Sequence, residues 1–172
     1  MRVLILSLFF CLTACAEGIQ LKAIRKSEKG TITAWGSCVY IEKFKLVTCF
    51  HTLDGAEEIY IKVKDGWAGV TILKFDKEND LALIETKVKG DAVDLLPLPE
   101  LTISAAHEDK PIRTTKATLN CAIIRADVSE GSSGGPLLAD GRIAGLILAK
   151  ITLEGVIYAR IVSSATIAEF LK

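Results

Sequence analysis

Gly131-Ser132-Ser133-Gly134-Gly135-Pro136 stands late in a chain of 172 residues, and how it is read decides the fold. Glycine and serine at this density mark a turn between strands. The same glycines let a backbone come close to a bound carbonyl group and adopt angles that a side chain would forbid. Ser133, set between them, is a candidate nucleophile. A serine hydroxyl attacks poorly at neutral pH, so the role requires a base within hydrogen-bond reach and donors aimed at a developing oxyanion.

Upstream residues can supply the base. His51 lies in Lys45-Leu46-Val47-Thr48-Cys49-Phe50-His51-Thr52, where an apolar strand runs into a polar turn. Asp80 lies in Glu78-Asn79-Asp80-Leu81-Ala82-Leu83-Ile84, where another apolar strand begins. Either residue alone would read as an ordinary strand-end or turn residue. The other histidine, His107, falls in the charged run Ala105-Ala106-His107-Glu108-Asp109-Lys110, which reads as solvated linker. A His, an Asp and a Ser in that order, each at the edge of an apolar run, suit nucleophilic catalysis.

The likeness extends well beyond three residues. Gly36-Ser37-Cys38-Val39-Tyr40-Ile41, Leu46-Val47-Thr48-Cys49-Phe50-His51, Asn79-Asp80-Leu81-Ala82-Leu83 and Gly131-Ser132-Ser133-Gly134-Gly135-Pro136-Leu137 together resemble a trypsin-like (chymotrypsin-fold) serine protease. The texture is most similar to the bacterial high-temperature-requirement (Deg-type) branch and its staphylococcal glutamyl-endopeptidase relatives. Gly141-Arg142-Ile143-Ala144-Gly145-Leu146-Ile147 and Ile157-Tyr158-Ala159-Arg160-Ile161-Val162 resemble that family's last barrel strands, and residues 163–172 its closing helix. Two departures stand out: Ser132 replaces the Asp or Asn common before the nucleophile, and no peptide-binding domain follows.

The resemblance implies an all-β fold of two six-stranded antiparallel barrels with the active site between them and a short C-terminal helix. The lobes would span about 17–95 and 112–162 within a domain of residues 16–172. It also implies acyl transfer on polypeptide substrates. His51 would take the Ser133 proton, Asp80 would orient the imidazole, and the backbone N–H groups of Gly131 and Ser133 would form the oxyanion hole. Neither a metal nor another cofactor is needed, and no His/Cys/Asp/Glu cluster has ligand spacing.

The residue pattern agrees with an all-β chain. Short apolar or alternating runs recur at 20–24, 31–35, 38–41, 46–50, 58–63, 69–75 and 81–86, then at 115–119, 122–126, 135–138, 142–148 and 156–161. Turns such as Lys64-Asp65-Gly66 and Ala139-Asp140-Gly141 separate them. Many short strands with such turns make barrels or a sandwich. Residues 165–171 alone carry helical spacing, with Ile167, Phe170 and Leu171 facing inward. The Pro-bearing, then charged stretch from Leu96 to Pro111 reads as the connection between lobes.

Charge argues against a nucleic-acid partner. Lys+Arg and Asp+Glu number 21 each, for a formal net charge of +0, so no strong overall field points to nucleic acid or an anionic surface. At the N-terminus, Arg2 precedes the apolar run from Val3 to Leu12, a positive head and a core too short to span a bilayer comfortably. Residues 1–15 read as a signal peptide. Leu12-Thr13-Ala14-Cys15 resembles a bacterial lipobox, in which Cys15 is acylated and tethers an exported domain to the periplasmic face of an envelope membrane. Ordinary cleavage after Ala14-Cys15-Ala16 is the alternative and would give a secreted protein.

Three cysteines remain beyond this segment. If the hairpin from Gly36 to His51 turns at Lys43-Phe44, counting back from the pair 42 and 45 sets Cys38 opposite Cys49, near disulfide distance. That pairing resembles the bridge many trypsin-like proteases carry beside their catalytic histidine. Two buried thiols are the alternative, since directly bonded strand positions suit a bridge less well. Specificity is also open. Asp127, six residues before Ser133, stands where trypsin places the acid that binds basic side chains. Lys150 could neutralise Asp127 and Val156 could narrow the pocket, favouring small aliphatic side chains instead. A catalytically silent lipoprotein using the same cleft to bind peptides is a second class of function, although no member of the triad is missing.

Overall fold

Alternation of apolar and polar residues along the first half of the chain closes a sheet on itself. The computed structural model describes residues 18–28, 30–97, 101–107, 110–117, 121–125 and 128–172, and of 101–122 the backbone alone. Strands β1 (Ile19–Ser27), β2 (Gly30–Glu42), β3 (Lys45–Cys49), β4 (Glu58–Val63), β5 (Gly66–Asp76) and β6 (Leu81–Thr86) form a closed antiparallel barrel in the order β1-β2-β3-β6-β5-β4. A short helix, α1 (Phe50–Leu53), follows β3 directly. Leu21, Tyr40, Leu46, Ile61 and Ile84 fill the barrel interior.

β3 is buried on both faces. Leu46 points into the barrel, while Val47 and Cys49 point out into a second core shared with Ile143, Leu146 and Ile167 of the other lobe. This accounts for its unbroken apolar run, since a strand covered on both sides has no polar face to show.

A second six-stranded barrel is not shown among the described residues. β9 (Cys121–Arg125), β10 (Pro136–Ala139), β11 (Arg142–Leu153) and β12 (Val156–Ser163) form a four-stranded sheet in the order β10-β11-β12-β9. β7 (Leu101–His107) and β8 (Lys110–Ala117) pair with each other as a separate hairpin. Among the described residues no ladder closes these strands into a barrel. The stretch 101–107, expected as linker, is thus a strand, and His107 pairs with Lys110 at the hairpin's end. The expected connection between lobes, Leu96 to Pro111, thus carries β7 and the start of β8.

α2 (Ser164–Leu171) closes the chain. Ser163 caps it by accepting from the Thr166 N–H at 3.3 Å. Ile167 is fully buried, and Phe170 and Leu171 pack against the inter-lobe core, as the helical spacing predicts. Lys74 on β5 donates to the Phe170 carbonyl at 2.6 Å, tying barrel to helix.

The expected bridge between Cys38 and Cys49 is not made; both are free thiols. The turn falls at Lys43-Phe44 as read, with Glu42 opposite Lys45, but Ile41 is an extra residue that shifts the ladder, so Cys38 faces Thr48. A one-residue slip sends every following side chain to the other face of the sheet. Cys38 therefore lies inside the barrel, its thiol donating to the Ile19 carbonyl at 3.4 Å. Cys49 lies in the inter-lobe core and donates to the Ile147 carbonyl at 3.2 Å. Burial pushes both thiols well above the usual thiol range. Neither is expected to react with iodoacetamide at neutral pH until the protein is unfolded, and a reductant should leave the melting temperature unchanged. Peptide mapping after alkylation, with and without denaturant, checks this.

Candidate functional site

The end of β3 and the start of β6 are hydrogen-bonded neighbours, Cys49 pairing with Leu81. That adjacency brings His51, in the helical turn after β3, to Asp80, the residue before β6. Asp80 adopts φ 57°, in the left-handed region, which costs an ordinary L-residue about 1–2 kcal/mol and which Asp tolerates better than most. Its carbonyl accepts from Phe50 N–H at 3.1 Å. Its carboxylate accepts from the His51 backbone N–H at 2.8 Å and meets the ring Nδ1 at 2.6 Å. A carboxylate only accepts, so Nδ1 carries the proton and Nε2 is left free to take one.

The turn before Asp80 is itself braced. Asp76 accepts from the Glu78 and Asn79 backbone N–H groups at 2.9 and 3.1 Å and from the Asn79 side chain at 2.7 Å. The Asn79 side-chain and backbone bonds, aided by Glu78, hold the Asp76 carboxyl below its usual range. On the far side, Arg25 of β1 donates to the carbonyls of His51 and Thr52 at 3.0 and 3.2 Å, clamping the end of α1. Nothing in the local sequence pattern around Arg25 signals this contact.

The glycine-rich loop lies across the barrel wall. Ser37 N–H donates to the Ser133 carbonyl at 2.7 Å, and Ser37 Oγ donates to the Gly131 carbonyl at 2.8 Å. Gly134 N–H donates to Ile147 at 2.7 Å. Gly131 and Gly134 both have φ 84°. Ser132 uses its hydroxyl to accept from Ser129 N–H at 3.1 Å, closing a local turn. Among the described residues the N–H groups of Gly131 and Ser133 donate to nothing, the condition an oxyanion-binding pair must meet.

Ser133 Oγ donates to the Leu148 carbonyl at 3.1 Å, not to His51. Leu148, His51 and Asp80 border one cleft of about 480 Å³, together with Asn79, Ala149 and Arg160. A second cleft of about 520 Å³ is walled by Trp35, Gly36, Ser37, Glu130, Gly131 and Ser132. The glycine-rich loop walls the second cleft through Gly131 and Ser132 and meets the border of the first only through the bond from Ser133 to Leu148. Of the expected specificity residues, Lys150 pairs with Ala159 and Val156 with Leu153 toward the β11–β12 hairpin end, and neither is among the residues that border these clefts. Asp127 and Cys15 lie outside the described residues.

Cys49, His51 and Asp80 offer donor atoms within 4.8 Å of one another. The set does not suit a metal ion, which binds thiolate. Burial first, and the Asp80 charge second, push the Cys49 thiol up, and its bond to Ile147 uses the proton.

The structure is similar to that of the Rv3671c protease from M. tuberculosis in its active form, with a TM-score of 0.66 and 15% sequence identity, covering 89% of this chain and 78% of that one. At that identity the likeness defines the fold, which is trypsin-like. No family model matches the chain, and no curated protein matches it.

Proposed function

We propose that the chain is a serine endopeptidase that hydrolyses peptide bonds through His51, Asp80 and Ser133. The observation that carries this reading is the Asp80 carboxylate engaging both the backbone N–H and the ring Nδ1 of His51, beside the cleft whose Leu148 carbonyl holds the Ser133 hydroxyl. Rotation of Ser133 about χ1 releases Leu148 and turns Oγ toward the imidazole. His51 Nε2 then accepts the hydroxyl proton as Oγ attacks the substrate carbonyl, and Asp80 stabilises the imidazolium. Gly131 and Ser133 N–H groups receive the oxyanion, each donor being worth about 3 kcal/mol in the transition state. The proton passes from His51 to the leaving amine, and water then releases the acyl group by the same steps.

The four-stranded sheet and the β7–β8 hairpin serve in this reading as the counterpart of a second barrel, and the Deg-type branch is the relative we favour. Export by a signal peptide and attachment to an envelope membrane through acylated Cys15 complete the proposal. Among the described residues no helix is long and apolar enough to cross a membrane. Mass spectrometry of the mature N-terminus decides: acyl chains on Cys15 support the tether, and a free, unacylated terminus at Glu17 removes it. A rival reading, a silent peptide-binding cleft, draws on the bond from Ser133 to Leu148 rather than to His51.

Cleavage of an unfolded protein by the purified protein, lost in His51→Ala, tests the peptidase. Arg25→Leu should lower kcat by about ten- to a hundredfold, because small misplacements of a catalytic group carry penalties of that size. Steady-state kinetics should place the loss in kcat rather than KM, since Arg25 contacts the backbone of His51 and Thr52.

A further inference from the structure

Both tryptophans of the chain lie on one outward face of the barrel, beside the point where the described chain begins. Trp35 on β2 stands opposite Lys22 on β1, and Lys22 opposite Tyr60 on β4. On the same face of β4, Lys62 pairs with Trp67 of β5. The indoles are in tilted contact, centroids 5.8 Å apart. The Lys22 ammonium lies 4.4 Å from the Trp67 centroid and 5.1 Å from that of Tyr60, and Lys62 lies 5.3 Å from Trp67. Trp35 is nevertheless 49% exposed. The acid on this face of β4, Glu58, accepts from the Tyr60 hydroxyl at 2.7 Å.

Nothing in the barrel core calls for these rings, because they stand on its outer side. Indoles and phenols beside lysines are the residues that settle at a bilayer interface, the ring bodies entering the headgroup region while the ammonium groups meet anionic phosphate. The chain's path fits. Gly18 borders the cleft walled by Trp35, and Cys15 is three residues upstream, a covalent reach of at most roughly 11 Å. Acyl chains on Cys15 would therefore enter the bilayer close to this face.

We propose that the face formed by Lys22, Trp35, Tyr60, Lys62 and Trp67 docks on an anionic phospholipid surface, with the cleft beside Gly131 set next to the membrane. The chain-length part of this inference rests on Cys15 acylation; the face itself does not. Its consequence is a preference for polypeptide segments presented at the membrane surface.

Because the chain holds only 2 tryptophans, intrinsic fluorescence reports this face and no other. The protein, produced from the full chain and processed by the cell, is mixed with vesicles of phosphatidylglycerol and phosphatidylcholine, with or without bromine on the acyl chains. Hydrolysis of a short peptide in solution is measured alongside, so absence of docking and absence of peptidase activity are read separately. For rings lying at the headgroup and acyl boundary, emission is expected to fall about twofold with brominated lipid. The Lys22→Gln/Lys62→Gln variant should lose most of that quenching at unchanged peptide hydrolysis. Emission indifferent to bromine overturns the proposal, whatever the state of the N-terminus. Equal quenching in the double variant, or in vesicles without phosphatidylglycerol, overturns it too, leaving the anchor alone to hold the protein. A spectral shift caused by an unfolded polypeptide but not by vesicles assigns the face to protein and likewise overturns it.

Discussion

Ser133→Ala is expected to lower peptide hydrolysis by on the order of a millionfold, the scale seen when a serine nucleophile is removed from an intact site, while the fold survives. The fold should survive because the loop is held by its backbone. Ser133 carbonyl accepts from Ser37, and Gly134 N–H is anchored on Ile147. The side chain contributes one hydrogen bond, to Leu148 at 3.1 Å, and such a bond is worth about 1 kcal/mol net. Rate on an unfolded protein substrate and melting temperature, measured on the same preparation, check the two halves. A variant that keeps the wild-type rate excludes Ser133 as the nucleophile.

Gly134→Ala is expected to cost stability as well as activity. With φ 84°, any L-residue there carries about 1–2 kcal/mol of backbone strain. Space is the larger problem. A Cβ at this position would overlap the Ser37 carbonyl oxygen and Thr48 Oγ1 and come within 3.1 Å of Cys49 N. Thr48 Oγ1 already donates to the Ser37 carbonyl at 2.7 Å, so neither atom can retreat without breaking that bond. The loop must then lift from the barrel wall, moving Ser133 away from Leu148. Denaturant unfolding should show a loss of several kcal/mol, in the range reserved for core overpacking, and the residual folded fraction should be nearly inactive.

Much of this arrangement is legible in the sequence because local chemistry sets it. β4 occupies the residues that its alternation marks, 58–63, and β6 those that its apolar run marks, 81–86. Asp140 and Gly141 both take positive φ, 51° and 73°, the demand a tight hairpin turn makes on an Asp-Gly pair. His51 and Asp80 meet because each sits at the end of a strand the apolar runs reveal. What escapes is set at long range. The extra residue at Ile41 leaves the alternation of β2 intact, Tyr40 entering the barrel and Ile41 packing toward the other lobe, yet the shift it makes in the ladder sets Cys38 against Thr48 rather than Cys49. Arg25 reaches His51 across 26 positions, and Ser133 finds Leu148 across 15. No periodicity carries such information. The pairing of the second-lobe strands escapes for a similar reason, since spacing reveals strands but not which of them pair.

Covalent labelling tests the central claim most directly. A fluorophosphonate reacts only with a serine activated by its base and oxyanion donors. The folded protein treated with such a reagent and digested should carry a single stoichiometric adduct on the peptide containing Ser133, and His51→Ala should abolish it while retaining the fold. An intact protein that takes up no label at Ser133, or that labels equally well without His51, would contradict the account.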